Sequence, residues 1–173
     1  NSNNMVASVL NKNLGAYYHS LPGSREKGLA VIRSFCESSL SFGLADYQLQ
    51  DASGLSLDNQ FSCRQFSELL KYSYFHSTRE IFLNALTKGG EHQFQEALKI
   101  PSFLQVYFKT GTLSQSKINT LVGYVIDDRS QRVYSFCVMV DGKRRKKYAY
   151  KGLYTQPVLA LIIDYIANLE AAF

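Results

Sequence analysis

Lys109, Thr110, Gly111 and Thr112 close the apolar run Phe103 to Phe108 with a fixed positive charge, two hydroxyls and a residue that has no side chain. Such a set can hold a carboxylate and an oxyanion side by side, the ammonium supplying charge and the hydroxyls hydrogen bonds. In a strand, alternate side chains share a face, so Thr110 and Thr112 point the same way and Gly111 leaves the edge uncovered for a ligand. Taken alone, Lys-Thr-Gly also reads as an edge strand with a surface lysine. A second set stands at the start of the chain. Ser2-Asn3-Asn4 runs into Met5, Val6, Val9 and Leu10, the apolar spacing of the first turns of a helix. A Ser and an Asn at such an entry either cap the first free amides or offer a hydroxyl and a carboxamide to a substrate.

The order of the two sets narrows the reading. Ser-x-Asn followed much later by Lys-Thr-Gly is the second and third part of the signature of penicillin-recognising serine enzymes, whose first part is Ser-x-x-Lys. Between them lies Asp51-Ala52-Ser53-Gly54-Leu55-Ser56-Leu57-Asp58-Asn59, a polar loop with a central glycine. This loop resembles the Asp-Gly-Ser-Gly-Leu-Ser-x-x-Asn segment of the D-alanyl-D-alanine carboxypeptidase/endopeptidase family, the low-molecular-mass class C penicillin-binding proteins. Lys109 to Leu113, with Asn119 to Tyr124 downstream, is similar to that family's Lys-Thr-Gly-Thr/Ser-Leu and Asn-x-Ala-Gly-Tyr/Phe pattern. The resemblance runs from Ser2 to about Met139. It departs at Ala52, where the family has glycine, and at Leu86 to Glu91, which fits the family's Gly-x-x-Gly-Thr-Leu stretch only loosely.

The resemblance implies a mechanism. A serine would attack the penultimate D-alanine carbonyl of a peptidoglycan stem peptide, and water would later hydrolyse the acyl-enzyme. Ser2 would relay a proton to the leaving amine, Asn4 would hold the substrate amide, and Lys109 would set the field of the site and keep Ser2 oriented. The Thr110 and Thr112 hydroxyls would bind the terminal carboxylate beside Gly111, with the Thr112 N–H in the oxyanion hole. Ser53, Gly54 and Ser56 would border the site. The implied partners are a peptide ending in D-Ala-D-Ala and β-lactam antibiotics, with no cofactor and no metal, and the implied location is the periplasm or cell envelope.

The nucleophile itself is expected elsewhere. In the family Ser-x-x-Lys lies upstream of Ser-x-Asn, whereas the two matches here, Ser24-Arg25-Glu26-Lys27 and Ser114-Gln115-Ser116-Lys117, both lie downstream. The expectation is that residues 1–173 form the C-terminal part of a longer transpeptidase-like domain, that the missing N-terminal part is a partner, and that this chain alone is inactive. Two other functions share these motifs. A serine β-lactamase has the same order of parts but needs a deacylating glutamate, and no Glu-x-x-Leu-Asn segment lies between them. A non-catalytic module could keep the wall-peptide edge and lack the chemistry.

Composition permits one domain with a real core: 173 residues, 46% hydrophobic and 19% charged. No apolar run reaches the length of a membrane span. Cys36, Cys63 and Cys137 are widely spaced, with neither a metal pattern nor an obvious disulfide framework, and read as small buried hydrophobes. Asp141 to Lys147 carries much of the net charge of +5, but without an extended basic stripe it reads as a solvated loop and not as a nucleic-acid contact.

The elements that must position these residues are legible in outline. Helices are expected over Ser2 to Leu14, from Ser24 past Cys36, after Ser62 with Gln65 as a capping box, and after Ser77 with Glu80 as another. Gly15, Leu21-Pro22-Gly23 and Gly43 mark breaks, and a further amphipathic stretch carries Phe94, Ala97 and Leu98. Beyond Pro101 the pattern changes to strands over Phe103 to Thr112, Ile118 to Asp127 and Arg132 to Val140, with a hairpin signal at Asp127-Asp128-Arg129-Ser130. Thr155 and Pro157 open a closing helix through Val158, Leu159, Ile162, Ile163, Ile166 and Leu169. The expected fold is α+β, helical over 1–100, then over 101–173 an antiparallel sheet and a packed C-terminal helix. By resemblance it is a partial penicillin-binding fold whose sheet is left open where N-terminal strands belong.

Overall fold

Helix periodicity gives way to strand alternation near residue 100, and the computed structural model follows that change. It describes residues 2–43, 45–90, 98–113, 118–141 and 155–169. Among them are α1 (Asn4–Tyr18), α2 (Arg25–Ser39), α3 (Cys63–Phe75), α4 (Arg79–Ala85) and α5 (Thr155–Leu169). The strands are β1 (Thr87–Lys88), β2 (Leu104–Leu113), β3 (Ile118–Asp127) and β4 (Arg132–Asp141). The chain is α+β and forms two compact units, Asn1–Gln65 and Phe66–Phe173. The Phe94 to Ala97 stretch, the Ser114–Lys117 match and the basic residues 142–147 lie outside the described residues.

In the first unit, α1 and α2 pack through small residues. A Cβ on Gly15 would stand 2.7 Å from the Gly28 nitrogen, and one on Gly28 would stand 2.0 Å from the Asn11 carbonyl oxygen. Gly15 is therefore not a break: α1 continues past it to Tyr18 because the missing side chain lets the helices approach. The face of α1 turned inward is small and polar, with Asn11 and Gly15 buried, so Met5, Val6, Val9 and Leu10 of the apolar spacing are exposed. The Ser24 side chain caps α2 by accepting from the Lys27 N–H, as its sequence predicts. Leu29, Cys36, Tyr47 and Leu49 form the core of this unit, with Phe61 stacked on Tyr47. Ser62 and Gln65 close a reciprocal capping box, the Ser62 N–H donating to Gln65 Oε1 at 2.8 Å and the Gln65 N–H to Ser62 Oγ at 3.3 Å.

Among the described residues, the second unit is built on a four-stranded antiparallel sheet in the order β1-β2-β3-β4. Its larger core lies between the sheet and α5, where Leu159, Ile163 and Ile166 meet Leu104, Val106, Phe108, Leu121, Val125 and Phe136. The second face carries Leu70 and Leu83 against Tyr124, whose hydroxyl donates to the Leu70 carbonyl at 2.6 Å. The second expected capping box does not form. Thr78 precedes α4 without a side-chain cap bond, Ser77 takes no part in the cap, and Ile81 is exposed. His76 Nδ1 lies 2.9 Å from Thr78 Oγ1, so that hydroxyl is engaged in the turn before the helix.

The hairpin between β3 and β4 is pinned by one buried charge. Asp127, fully buried, accepts from Arg129 Nε and Nη2 at 3.1 and 2.8 Å, while the Arg129 guanidinium lies 3.6 Å from the centroid of the Phe103 ring and donates to the Ala167 carbonyl of α5. Hydrogen bonds from Arg129 bring the Asp127 carboxyl down to about 2 against the opposing effect of burial. A carboxylate whose pKa is depressed on folding stabilises above its unfolded value, near 3.9, and loses that stabilisation as pH falls through its folded value. Stability is thus expected to drop between about pH 4 and about pH 2 in the native protein. An Asp127→Asn variant should be less stable at neutral pH by about 1.5–3 kcal/mol and lose that acid step, as followed by urea denaturation at several pH values.

Candidate active site

The two sets of chemical residues are each placed by a regular element. At the head of α1, Asn3 and not Ser2 is the cap, its side chain accepting from the Val6 N–H at 3.1 Å. The middle residue of Ser-x-Asn does the capping, so Ser2, which is exposed, and Asn4, in the first turn, take no part in it. Asn4 Nδ2 donates to the Ser53 carbonyl at 2.7 Å, which joins the helix start to the Asp51 to Asn59 loop within the first unit.

That loop is closed around one carboxylate. Asp51 Oδ1 accepts from the Gly54 N–H and Asn59 Nδ2 at 2.8 and 2.9 Å, and Oδ2 accepts from Ser53 Oγ and the Leu55 and Ser56 N–H groups at 3.0, 3.2 and 2.9 Å. Asn59 Oδ1 accepts in turn from the Gln50 and Asp51 N–H groups. Gly54 sits at φ +79, a left-handed conformation that glycine takes without strain. Partial burial pushes the Asp51 carboxyl up, but the hydrogen bonds from Gly54, Ser53, Asn59 and Ser56 outweigh it and hold the group below its ordinary value. Ser53, Gly54 and Ser56 are thus held by Asp51, a residue not among the expected site residues although an aspartate heading a Ser-Gly turn is a legible signal.

In the second unit, Lys109, Thr110, Gly111 and Thr112 lie on β2. On one side they pair with β3, Lys109 opposite Val122 and Thr112 opposite Asn119. On the other, β1 pairs with β2 only at Tyr107 and Phe108, and the Gly89 N–H donates to the Val106 carbonyl. Successive residues of a strand point their backbone groups to opposite sides. Since Val106 faces β1, the N–H and C=O groups of Thr110 and Thr112 also face away from β3, past the end of β1. Lys109 lies on that margin as well, its ammonium donating to the Thr110 carbonyl. Burial lowers the Lys109 pKa from its ordinary 10.5.

Alternation places the threonine hydroxyls on the face that carries Leu104, Val106 and Phe108, at the point where that face becomes exposed. Lys109 belongs to the other face, with Tyr107. A ligand that meets both must lie along the strand edge. Thr112 Oγ1 donates to Asn119 Oδ1 at 3.2 Å, and the space over Gly111 is taken by the Thr120 side chain, whose oxygen would lie 2.5 Å from an added Cβ. Gly111 therefore makes room for a neighbouring strand, which differs from the bare edge expected of it. The Leu86 to Gly90 stretch supplies β1, a two-residue strand beside the Lys-Thr-Gly segment that sequence patterning missed.

The Ser24 match to Ser-x-x-Lys is occupied structurally. Its hydroxyl caps α2, and Lys27 Nζ donates to the Ser20 carbonyl, Ser20 Oγ and the Pro22 carbonyl.

Residues 1–155 match the model of the D-Ala-D-Ala carboxypeptidase 3 (S13) family. The chain belongs to that family. Two solved structures of penicillin binding protein 4 (dacB) from Haemophilus influenzae share its fold. One is 20% identical with a TM-score of 0.71 over 97% of this chain, and the other, complexed with a β-lactam, is 19% identical with a TM-score of 0.72 over 94%. The chain spans 37% and 38% of the lengths of those two chains. No curated protein sequence matches it. Membership of the S13 family agrees with the resemblance carried by the loop and the Lys-Thr-Gly strand. Among the described residues, no helix is long and apolar enough to cross a membrane.

Proposed function

We propose that this chain carries the Ser-x-Asn and Lys-Thr-Gly parts of a serine-type D-Ala-D-Ala carboxypeptidase/endopeptidase site acting on peptidoglycan stem peptides in the periplasm or cell envelope. The observation that carries the reading is the β2 edge, where an ammonium, two hydroxyls and outward-facing backbone groups lie together in a chain of the S13 family. A peptide laid along such an edge gains main-chain hydrogen bonds and meets charge where its terminal carboxylate ends. Thr110 and Thr112 bind that carboxylate, Lys109 sets the field, and the Thr112 N–H stabilises the oxyanion. Ser2 relays the proton to the leaving amine and Asn4 holds the substrate amide.

The nucleophile and its base are supplied from outside these 173 residues. Engagement of Ser24 and Lys27 in a cap and a turn supports this. The test is release of D-alanine from a peptide ending in D-Ala-D-Ala. The full-length gene product should release it and be inhibited by β-lactams, and the 173-residue chain should release none. A folded full-length product that neither releases D-alanine nor binds a β-lactam would leave the wall-peptide binding module as the reading.

A further inference from the structure

We propose that Asp51 is a positioning residue for Asn4, acting through the Ser53 carbonyl. The inference rests on the reading of Asn4 as a substrate-binding residue and adds a member to that site.

Asn4 is exposed at the head of α1, and a carboxamide there rotates freely unless something holds it. Its Nδ2 donates to the Ser53 carbonyl at 2.7 Å, so the direction of that carbonyl sets the direction of the carboxamide. Ser53 has no regular element to hold it. Its loop is fixed instead by Asp51, which collects five donors on two oxygens: Ser53 Oγ, the N–H groups of Gly54, Leu55 and Ser56, and Asn59 Nδ2. Three consecutive backbone amides converging on one carboxylate define the peptide planes after Ser53, including the plane to which its carbonyl belongs. Asn59 ties the base of the loop by donating to the Asp51 carbonyl at 3.1 Å. With Nδ2 engaged by the Ser53 carbonyl, Oδ1 is the atom left to accept a substrate N–H in the proposed site.

Replacing Asp51 by Asn exchanges one acceptor oxygen for an NH2 group that faces donors. The loop then loses at least two of its five bonds, and the Ser53 carbonyl loses its direction while α1 keeps its own cap at Asn3.

Two measurements test this. In the 15N-labelled 173-residue chain, the Asn4 side-chain amide proton that faces the Ser53 carbonyl should exchange with water more slowly than its geminal partner in the native protein and at least about 10-fold faster in Asp51→Asn, with the backbone signals of the second unit unchanged. Unchanged Asn4 exchange would overturn the proposal, whatever the enzyme does. In the full-length gene product, Asp51→Asn should slow acylation by benzylpenicillin about 10- to 100-fold. Added to Asn4→Ala it should have no further effect, because both changes remove one interaction. Effects that multiply would assign Asp51 to general stability and overturn the proposal. Should Asp51→Asn fail to fold, Ser53→Ala removes one donor and leaves the backbone carbonyl. It should slow acylation several-fold on its own and not at all in the Asn4→Ala background, and equal slowing in both backgrounds would also overturn the proposal.

Discussion

Lys109→Ala is expected to lower the rate of acylation of the full-length gene product by benzylpenicillin by about 10²- to 10³-fold. Lys109 is the charged group of the β2 edge that the proposed site uses, and its ammonium lies over the Thr110 carbonyl at the margin left open by β1. In the proposed site, removing it takes away the field at the place assigned to the substrate carboxylate and the developing negative charge. The fold should survive, because the side chain is only half-buried and the strand keeps its pairing to β3. Burial lowers the Lys109 pKa, so the alkaline limb of the acylation profile should fall below the ordinary 10.5 of a lysine. Lys109→Arg keeps the charge to higher pH and should move that limb upward while recovering part of the rate. A rate unchanged in Lys109→Ala would remove this strand from the chemistry.

Gly123→Val is expected to unfold the second unit, at a loss of at least about 4 kcal/mol. Gly123 pairs with Phe108, and a Cβ at that position would stand 2.0 Å from the Tyr107 carbonyl oxygen and 2.7 Å from the Phe108 Cα. Both obstacles are backbone, so relief requires β2 and β3 to separate directly before Lys109. The result should be an insoluble chain, or one whose urea transition has lost the component due to the sheet. Gly111→Ala is the milder contrast. The nearest atom there is the Thr120 hydroxyl, which can rotate away, so a loss of about 1–2 kcal/mol is expected.

These two glycines mark the limit of what the sequence alone carries. Both stand in the family-like segments, and β3 has the bounds that alternation predicts, Ile118–Asp127. What alternation does not carry is the identity of the neighbour across the ladder, and that neighbour decides why each position is glycine. Apart from the Ser77 and Glu80 box, which does not form, local devices were legible for the same reason that distant ones were not. The caps at Ser24 and Ser62 and the turn at Asp127 to Ser130 depend on residues within a few positions of one another. Gly15 reads as a break until Gly28 is placed against it, and β1 is too short to have a period of its own.

The candidate site residues divide in the same way. Residue types and alternation put Lys109, Thr110 and Thr112 on one strand with the two hydroxyls on a shared face, and β2 has that arrangement. That Ser2 is released from capping by Asn3, and that Asp51 orders the loop beside Asn4, required the hydrogen bonds themselves. The apolar spacing of Met5, Val6, Val9 and Leu10 gave the helix but not its covered face, because α1 meets α2 through Asn11 and Gly15 and leaves those four exposed. Periodicity reports which residues share a face and not which face is covered.

The measurement that tests the central claim most directly is the position of the penicilloyl group after the full-length gene product reacts with benzylpenicillin, read by peptide mass spectrometry. The account predicts a single adduct on the serine of a Ser-x-x-Lys segment outside these 173 residues, lost in Lys109→Ala. An adduct on Ser2, Ser24 or Ser114, or none on a folded protein, would contradict it.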